Sequence, residues 1–80
     1  MLSEDPIPDG WLLEQRRLLG QRIWAARTHA NLTQGRLAER AGIDRKTVYR
    51  AELATHTPSY EQVLRIAYAL GVPLSELVRQ

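Results

Sequence analysis

Apolar residues recur along the chain with the spacing of α-helices, and no stretch shows the alternation expected of a strand. A stripe with successive spacings of seven, four, three and four residues predicts a long first helix over about residues 10 to 29. The stripe consists of Leu12, Leu19, Ile23, Ala26 and Ala30. Asn31 follows it and tolerates a left-handed backbone, so we expect the helix to end there.

Two short helices are predicted next, with a tight turn between them. Thr33 is a good N-cap for the second helix, and Gly42 is suited to end it. Asp44 can cap the third helix, because its carboxylate accepts hydrogen bonds from free N–H groups where the helix dipole is positive. The residues expected to face inward are Leu37, Ala38, Ala41, Val48 and Ala51. The third helix therefore keeps a polar face directed outward.

Capping signals mark the last two helices. Ser59 and Gln62 form a capping-box pattern and Gly71 lies beyond an apolar stripe, which predicts a fourth helix over residues 60 to 70. Pro73 suits the first turn of a fifth helix, where its missing N–H costs nothing. The apolar residues of both helices are Val63, Leu64, Ile66, Ala67, Leu70, Leu74 and Leu77. The pattern as a whole predicts an all-α, compact five-helix domain.

The first ten residues differ from the rest in composition. Pro6 and Pro8 interrupt them and Gly10 ends them, which predicts an extended, mobile arm over residues 1–10 before a single domain over residues 11–80. The chain has 11 basic and nine acidic residues, a net charge of +2. Four acidic residues but no basic residue precede position 15, so the rest carries 11 basic against five acidic residues, a net of +6. This excess favours a polyanionic partner.

The composition argues against several classes of function. Cysteine is absent, and His29 and His56 lie far apart without an acidic cluster, so we predict no disulfide, thiolate site or bound metal. No apolar run reaches the roughly 18 residues of a membrane span, and the N-terminus lacks the features of a signal peptide. No nucleophile-base pair, glycine-rich phosphate loop or paired carboxylates occur at usable spacing. We therefore expect a cytoplasmic protein with no catalytic residue and no cofactor.

The second and third helices form the clearest motif, over about residues 33 to 52. Ala38 is small where the two helices would cross closely, Gly42 can take the positive φ of the turn, and Ile43 anchors the following helix. These are the properties of a helix-turn-helix, which presents its second helix to the major groove of DNA. The predicted recognition helix covers residues 44 to 53.

Three stretches of the chain match a known family. They are Thr33-Gln34 through Glu52, Pro58-Ser59, and Ala69-Leu70-Gly71-Val72-Pro73-Leu74-Ser75-Glu76-Leu77. With them the chain resembles the XRE family, the Cro and phage-repressor type of DNA-binding domain, over about residues 19 to 78. The resemblance implies a phage-repressor-like fold whose third helix enters the major groove of double-stranded DNA. It also implies a homodimer on a palindromic operator.

The resemblance assigns roles to individual side chains. It implies base contacts by Arg45, Lys46, Tyr49 and Arg50, with Tyr49 at the edge of the interface. It implies phosphate contacts by Gln34, Thr33 and Thr47. It also implies a structural ion pair between Arg27 and Glu52. The chemistry of the base contacts agrees, because Arg and Lys donate to guanine O6 and N7, and each good pair discriminates by roughly 1 to 3 kcal/mol.

Two features depart from the family pattern. After the third helix the chain reads Leu53-Ala54-Thr55-His56-Thr57, without the usual glycine and basic residues. We therefore expect this helix either to run longer or to close differently at its end, and DNA affinity to be weaker and to depend less on salt. Trp24 lies about a third of a turn from the apolar stripe of the first helix. It is expected either to pack under the N-terminal arm with Trp11 and Leu13 or to contact a protein partner.

We interpret the chain as a sequence-specific DNA-binding transcriptional regulator that is nucleoid-associated. We expect a repressor rather than an activator, because no effector domain is evident. The alternative is a protein-interaction module or an antitoxin on the same scaffold, since a fold does not dictate a function. Dimerisation, or a protein partner, is assigned to the helix four to five region, at Val72, Pro73, Leu74 and Val78. The acidic arm is a candidate shield of the basic face.

Overall fold

The computed structural model describes residues 2–79; Met1 and Gln80, the outer ends of the predicted arm and domain, lie outside the described residues. The helices are α1 (Trp11–His29), α2 (Gln34–Ala41), α3 (Arg45–Glu52), α4 (Tyr60–Leu70) and α5 (Leu74–Val78). No strand occurs in residues 2–79. The predicted all-α fold of five helices with a long first helix is confirmed.

Side-chain caps set the beginnings of three of the five helices as predicted. Thr33 Oγ1 accepts from the backbone N–H three residues later at 3.1 Å, and Asp44 accepts from the N–H two residues later at 3.2 Å. Ser59 and Gln62 form the reciprocal capping box, with hydrogen bonds of 3.1 and 2.9 Å. Asn31 has a φ of 58°, in the left-handed region expected for a residue that follows a helix.

Every helix contributes to one hydrophobic core. Its buried members are Ile23, Leu37, Ala38, Val48, Ala51, Val63, Ile66, Ala67 and Leu77. Leu19, Ile43, Leu70, Val72 and Leu74 are partly buried against them. Each fully buried aliphatic side chain contributes roughly 1.5 to 3 kcal/mol relative to an exposed one, so this cluster is the main source of stability.

Three residues of the apolar stripes are exposed, and one predicted helix position is wrong. Leu12 and Ala30 are exposed because α1 spans about 28 Å and α3 only about 12 Å, so both ends of α1 extend past the helix it crosses. Leu64 is also exposed, at the edge of the buried stripe of α4. Pro73 is the N-cap of α5 and not part of its first turn, since helical geometry begins only after its ψ of 151°.

The crossing of α1 and α3 depends on Gly20, a residue that the hydrophobic pattern did not single out. A Cβ atom built on Gly20 would lie 2.5 Å from the carbonyl oxygen of Ala51 and 2.7 Å from that of Glu52. Both obstacles are backbone atoms, which cannot move aside without shifting α3 itself. The absence of a side chain at Gly20 therefore sets the distance between these two helices.

The end of α3 closes without the glycine that is usual in the family, and the helix does not run longer. Ala54 takes the left-handed conformation, with a φ of 61°, and its small side chain is buried. The N–H of Thr55 donates to the carbonyl of Arg50 at 3.0 Å, and that of Ala54 to the carbonyl of Ala51 at 3.1 Å. A left-handed alanine costs roughly 1 to 2 kcal/mol, so the backbone at Ala54 is strained.

The N-terminal arm makes no buried contact over residues 2–10, all of which are exposed. Its direction is set by a turn in which the N–H of Trp11 donates to the carbonyl of Pro8 at 3.1 Å. Trp24 lies 13 residues further along the same helix, about 20 Å away. The expectation that Trp24 packs under the arm with Trp11 and Leu13 is therefore wrong.

No helix within residues 2–79 is both long and apolar enough to cross a membrane.

Candidate nucleic-acid interface

A tight turn between α2 and α3 fixes the direction of α3. Gly42 has a φ of 68°, and the N–H of Ile43 donates to the carbonyl of Ala38 at 3.0 Å. Val48 and Ala51 then point into the core and are almost completely buried. Because these two residues define the inner face of α3, its opposite face is directed away from the molecule.

The outer face of α3 carries the side chains for which base contacts were predicted. Arg45, Lys46, Tyr49 and Arg50 are all exposed. None of these four side chains forms a hydrogen bond or an ion pair with another residue of the described chain, and only backbone atoms of Lys46 and Arg50 bond to neighbouring side chains. Three positive charges and a phenol hydroxyl thus project from about two turns of helix with their hydrogen-bonding groups still free. This arrangement can donate to acceptors on an external polyanion.

Arg45 also lies close to the first turn of α2. A Cβ atom built on Gly35 would lie 3.7 Å from Cδ of Arg45, which is ordinary van der Waals contact. The beginnings of α2 and α3 therefore border one continuous surface. The residues of this border for which phosphate contacts were predicted are Thr33, which is exposed, and Gln34 and Thr47, which are half-buried.

A nearly buried ion pair holds α3 against α1. Arg27 Nε donates to Glu52 Oε2 at 2.6 Å, Nη2 donates to Oε1 at 2.9 Å, and Nη1 donates to the carbonyl of Leu32 at 2.9 Å. Only 11% of the Arg27 side chain and 5% of the Glu52 side chain are exposed. The hydrogen bonds that Arg27 donates to Glu52 raise the pKa of Arg27, against the opposing effect of burial. The guanidinium therefore stays charged in the folded protein.

Gln34 extends this pair toward the surface. Its Nε2 donates to Glu52 Oε1 at 3.0 Å, so the carboxylate accepts from both Arg27 and Gln34. We call Arg27, Glu52 and Gln34 the carboxylate cluster. The sequence indicated the ion pair but not the Gln34 contact, because the match placed Gln34 on phosphate and spacing alone does not show how far its amide reaches. The cluster joins α1, α2 and α3 beside the outer face of α3.

Next to the carboxylate cluster lies an open concavity of about 340 Å³. Its lining comprises Gln21, Trp24 and Leu53 together with the three cluster residues. Trp24 and Leu53 are 55% and 54% exposed. We call Gln21, Trp24 and Leu53 the Trp24 patch.

The remaining acidic side chains do not assemble into a second kind of site. No group of three or more His, Cys, Asp or Glu residues lies at metal-binding distance within residues 2–79. Four glutamates each form a surface ion pair with an arginine three or four residues away; they are Glu14, Glu39, Glu61 and Glu76. Such exposed pairs contribute little to stability.

Comparison with known proteins agrees with the fold. A family model described as Helix-turn-helix matches residues 25–77, which include both helices of the motif and the core around them. The immunity repressor protein of Bacillus phage phi105 is 38% identical over 60 residues, 75% of this chain and 42% of the phage protein. The chain thus spans less than half the length of that curated relative.

Solved structures give the same architecture. The restriction-modification controller protein C.AhdI from Aeromonas hydrophila is 33% identical, with a TM-score of 0.78 over 80% of this chain and 97% of its own. A hypothetical transcription factor, NHTF from Neisseria, has a TM-score of 0.77 over 96% of this chain and 86% of its own, and at 24% identity it supports the fold alone. The chain belongs to the helix-turn-helix family. Within that family the resemblance to the XRE type is confirmed.

Proposed function

We propose that this protein represses transcription by occupying an operator, with α3 inserted in the major groove of double-stranded DNA. One observation carries the proposal: the outer face of α3 bears three unpaired basic side chains on a helix held by the core and the carboxylate cluster. A rigid helix with free donors is what direct readout of base edges requires. The protein acts in the cytoplasm, associated with the nucleoid.

Base readout is proposed for Arg45, Lys46 and Arg50, with Tyr49 contacting the edge of the site. Arginine and lysine favour guanine, because its O6 and N7 are both acceptors in the major groove. Phosphate contacts are proposed for Gln34, Thr33 and Thr47, which border the same surface. The Thr33 oxygen already caps α2, but its hydroxyl proton is available to a phosphate oxygen. These contacts would set the register of α3.

The proposed active form is a homodimer on a palindromic operator. Val72 and Leu74, two of the expected interface residues, pack against the core of their own chain, whereas Val78 is 45% exposed. Val78 borders an apolar groove of about 520 Å³ whose other apolar walls are Trp11, Leu12, Leu19 and Leu77. We assign this groove to a second copy of the chain. Two half-sites on one operator would then combine weak single-domain contacts.

Charge supports this choice of occupant. Arg16 and Arg22 border the groove and donate only to carbonyl oxygens, without an ion pair to any described residue. The arm of a second copy carries Glu4, Asp5 and Asp9, which complement these two charges. Sedimentation of wild type and of a chain lacking residues 1–9 tests this assignment. A dimer that persists without the arm contradicts the arm contact, and stronger DNA binding at low salt would instead favour the arm as a shield.

Selection of binding sites from a random duplex pool tests the proposed readout. We expect a palindrome to be enriched, and Arg45→Ala, Lys46→Ala and Arg50→Ala to lose about 1 to 3 kcal/mol of binding at particular bases. Arg17→Ala is the matched control, because it removes the same charge from an exposed surface of α1. Its effect should be small and independent of sequence.

The competing function is a protein-interaction module or an antitoxin on the same scaffold. It becomes the better account if the pool yields no enriched sequence, or if all three variants of α3 bind as tightly as wild type. An antitoxin that also represses its own promoter would satisfy both readings. A toxin gene next to the gene for this chain would identify it as such an antitoxin.

A further inference from the structure

We infer that Trp24 is a contact to the DNA backbone, one that extends the interface from α2 and α3 onto α1. The inference rests on the proposed docking of α3 in the major groove and deepens it. From the sequence, Trp24 was expected only to pack under the N-terminal arm or to contact a protein partner. The observation that carries it is the place of Trp24 in the concavity beside Gln34.

With α3 docked as proposed, Trp24 would lie over the same DNA strand as the beginning of α2. Trp24 and Gln34 line one concavity, and Leu53, the first residue after α3, lines its other side. A helix seated in the major groove has a sugar-phosphate backbone along each of its flanks. A side chain that neighbours the start of α2 therefore lies beside the backbone that Gln34 approaches.

The chemistry of the concavity suits a phosphodiester backbone. Its only carboxylate is Glu52, and that charge is neutralised by the ion pair with Arg27. The indole N–H of Trp24 is a donor with no acceptor function, and phosphate oxygens are acceptors. The ring and the aliphatic side chain of Leu53 offer apolar surface to the deoxyribose. The site can therefore bind the backbone without repelling it and without reading sequence.

The size of the Trp24 patch favours DNA over a protein partner. Trp24 and Leu53 are its only large apolar side chains, and the groups beside them are the amides of Gln21 and Gln34. A stable protein interface needs about 800 Å² from each partner around a hydrophobic centre, more than two half-exposed side chains provide. The loop over residues 53–57 carries no lysine or arginine, so an uncharged contact also fills a place where basic residues are missing.

Tryptophan fluorescence tests the inference directly. In a Trp11→Phe background the emission comes from Trp24 alone, and we expect it to change with the selected operator duplex and saturate at the binding stoichiometry. An unrelated duplex should produce the same change at higher concentration. The reciprocal variant, Trp24→Phe with Trp11 retained, reports on the groove assigned to the second copy, so its response measures dimerisation separately from the DNA contact.

Affinity measurements with Trp24→Ala and Trp24→Phe complete the test, after circular dichroism has shown both to be folded. We expect Trp24→Ala to bind operator and unrelated DNA about three- to tenfold more weakly, because one uncharged contact is lost from each complex. The slope of affinity against salt should not change, since no charge is removed. Trp24→Phe should bind with intermediate affinity, because it keeps the apolar ring and loses the donor.

The outcomes separate this inference from the proposed function. Loss of base preference in Arg50→Ala, together with a silent Trp24 and wild-type affinity in Trp24→Ala, would overturn the inference and leave the docking of α3 intact. A Trp24 signal that survives in Arg50→Ala supports the backbone contact, since such a contact does not depend on base readout. If Trp24→Ala binds DNA normally but no longer associates with a protein that wild type binds, Trp24 belongs to a protein interface instead.

Discussion

The two faces of α3 differ in what their polar and apolar groups contact. On the inner face Val48 and Ala51 are buried in the core, and Glu52 accepts three hydrogen bonds from two side chains. On the outer face Arg45 and Arg50 have no side-chain partner among residues 2–79. An eight-residue helix thus combines a fully satisfied surface with one whose donors are all free.

This difference separates stability from recognition along a single helix. The inner face lies in the low-dielectric interior, where an unmatched charge or an added atom is costly. The outer face is solvated, so its side chains can be exchanged with little effect on folding. Substitutions on α3 should therefore fall into two classes, and the following variants test where the boundary lies.

The largest effect is expected from Arg27→Ala. It leaves the Glu52 carboxylate nearly buried with only Gln34 as a side-chain donor, and removing one partner of such a pair costs about 3 to 5 kcal/mol. Chemical denaturation would measure the loss. The double variant Arg27→Met with Glu52→Leu is the control, because it removes both charges, and it should recover most of the stability.

The stability that the pair of Arg27 and Glu52 contributes should not change near neutral pH through titration of Arg27. The Glu52 hydrogen bond raises the pKa of Arg27, and stability from a raised pKa is fully present below the unfolded value. It is lost only as pH rises through the raised folded value, far above neutral. If the stability difference between wild type and Arg27→Ala narrowed between pH 7 and 9, this account of the pair would be incorrect.

Gly20→Ala tests the distance between α1 and α3. The new Cβ would meet backbone oxygens at 2.5 and 2.7 Å, so we expect a loss of about 1 to 3 kcal/mol in the free energy of unfolding. Gly35→Ala is the matched control within a helix, because its Cβ would meet only ordinary contacts, and it should be neutral or stabilising. Equal melting temperatures for the two variants would show that α1 can retreat from α3.

A smaller effect, of opposite sign, is expected from Ala54→Gly. Ala54 has a φ of 61°, and glycine adopts this conformation without the steric cost of a Cβ. The loss of a small buried methyl offsets part of the gain, so the net stabilisation should be about 0.5 to 1 kcal/mol. Thermal unfolding would detect this as a higher Tm. A lower Tm would mean that packing of the methyl outweighs the backbone strain.

The smallest effect on folding is expected from Arg50→Ala. Arg50 is exposed without an internal partner, so the free energy of unfolding should stay within about 0.5 kcal/mol of wild type. Its DNA affinity should nevertheless fall, as proposed for the base-reading residues. A substantial loss of stability would place Arg50 with the inner face and break the separation between the two surfaces.

The features predictable from the sequence were those with a local cause. Helix ends follow from side chains that cap them within three residues, as Thr33, Asp44 and Ser59 do. The inner face of α3 follows from helical spacing. The Arg27 and Glu52 pair, 25 residues apart, came from the resemblance and not from spacing, because long-range contacts leave no local pattern.

What the sequence did not predict depended on how helices of unequal length pack. The stripe of α1 continues through Leu12 to Ala30, but only its middle residues Leu19, Ile23 and Ala26 are wholly or partly buried. Gly20 interrupts no pattern, and its role appears only when the backbone of α3 lies against it. The Gln34 contact and the concavity beside Trp24 arise for the same reason, since three helices must be in place before either exists.

If Gln34 contacts a phosphate as proposed, its hydrogen bond to Glu52 would link folding and operator binding thermodynamically. The amide that the proposed interface directs toward a phosphate also completes the hydrogen bonds of a nearly buried carboxylate. A ligand that binds only the ordered arrangement adds RT ln(1 + [L]/Kd) to stability, about 2.7 kcal/mol at 100 times Kd. Operator DNA would then slow hydrogen exchange where α1, α2 and α3 meet, and could rescue variants whose carboxylate cluster is weakened.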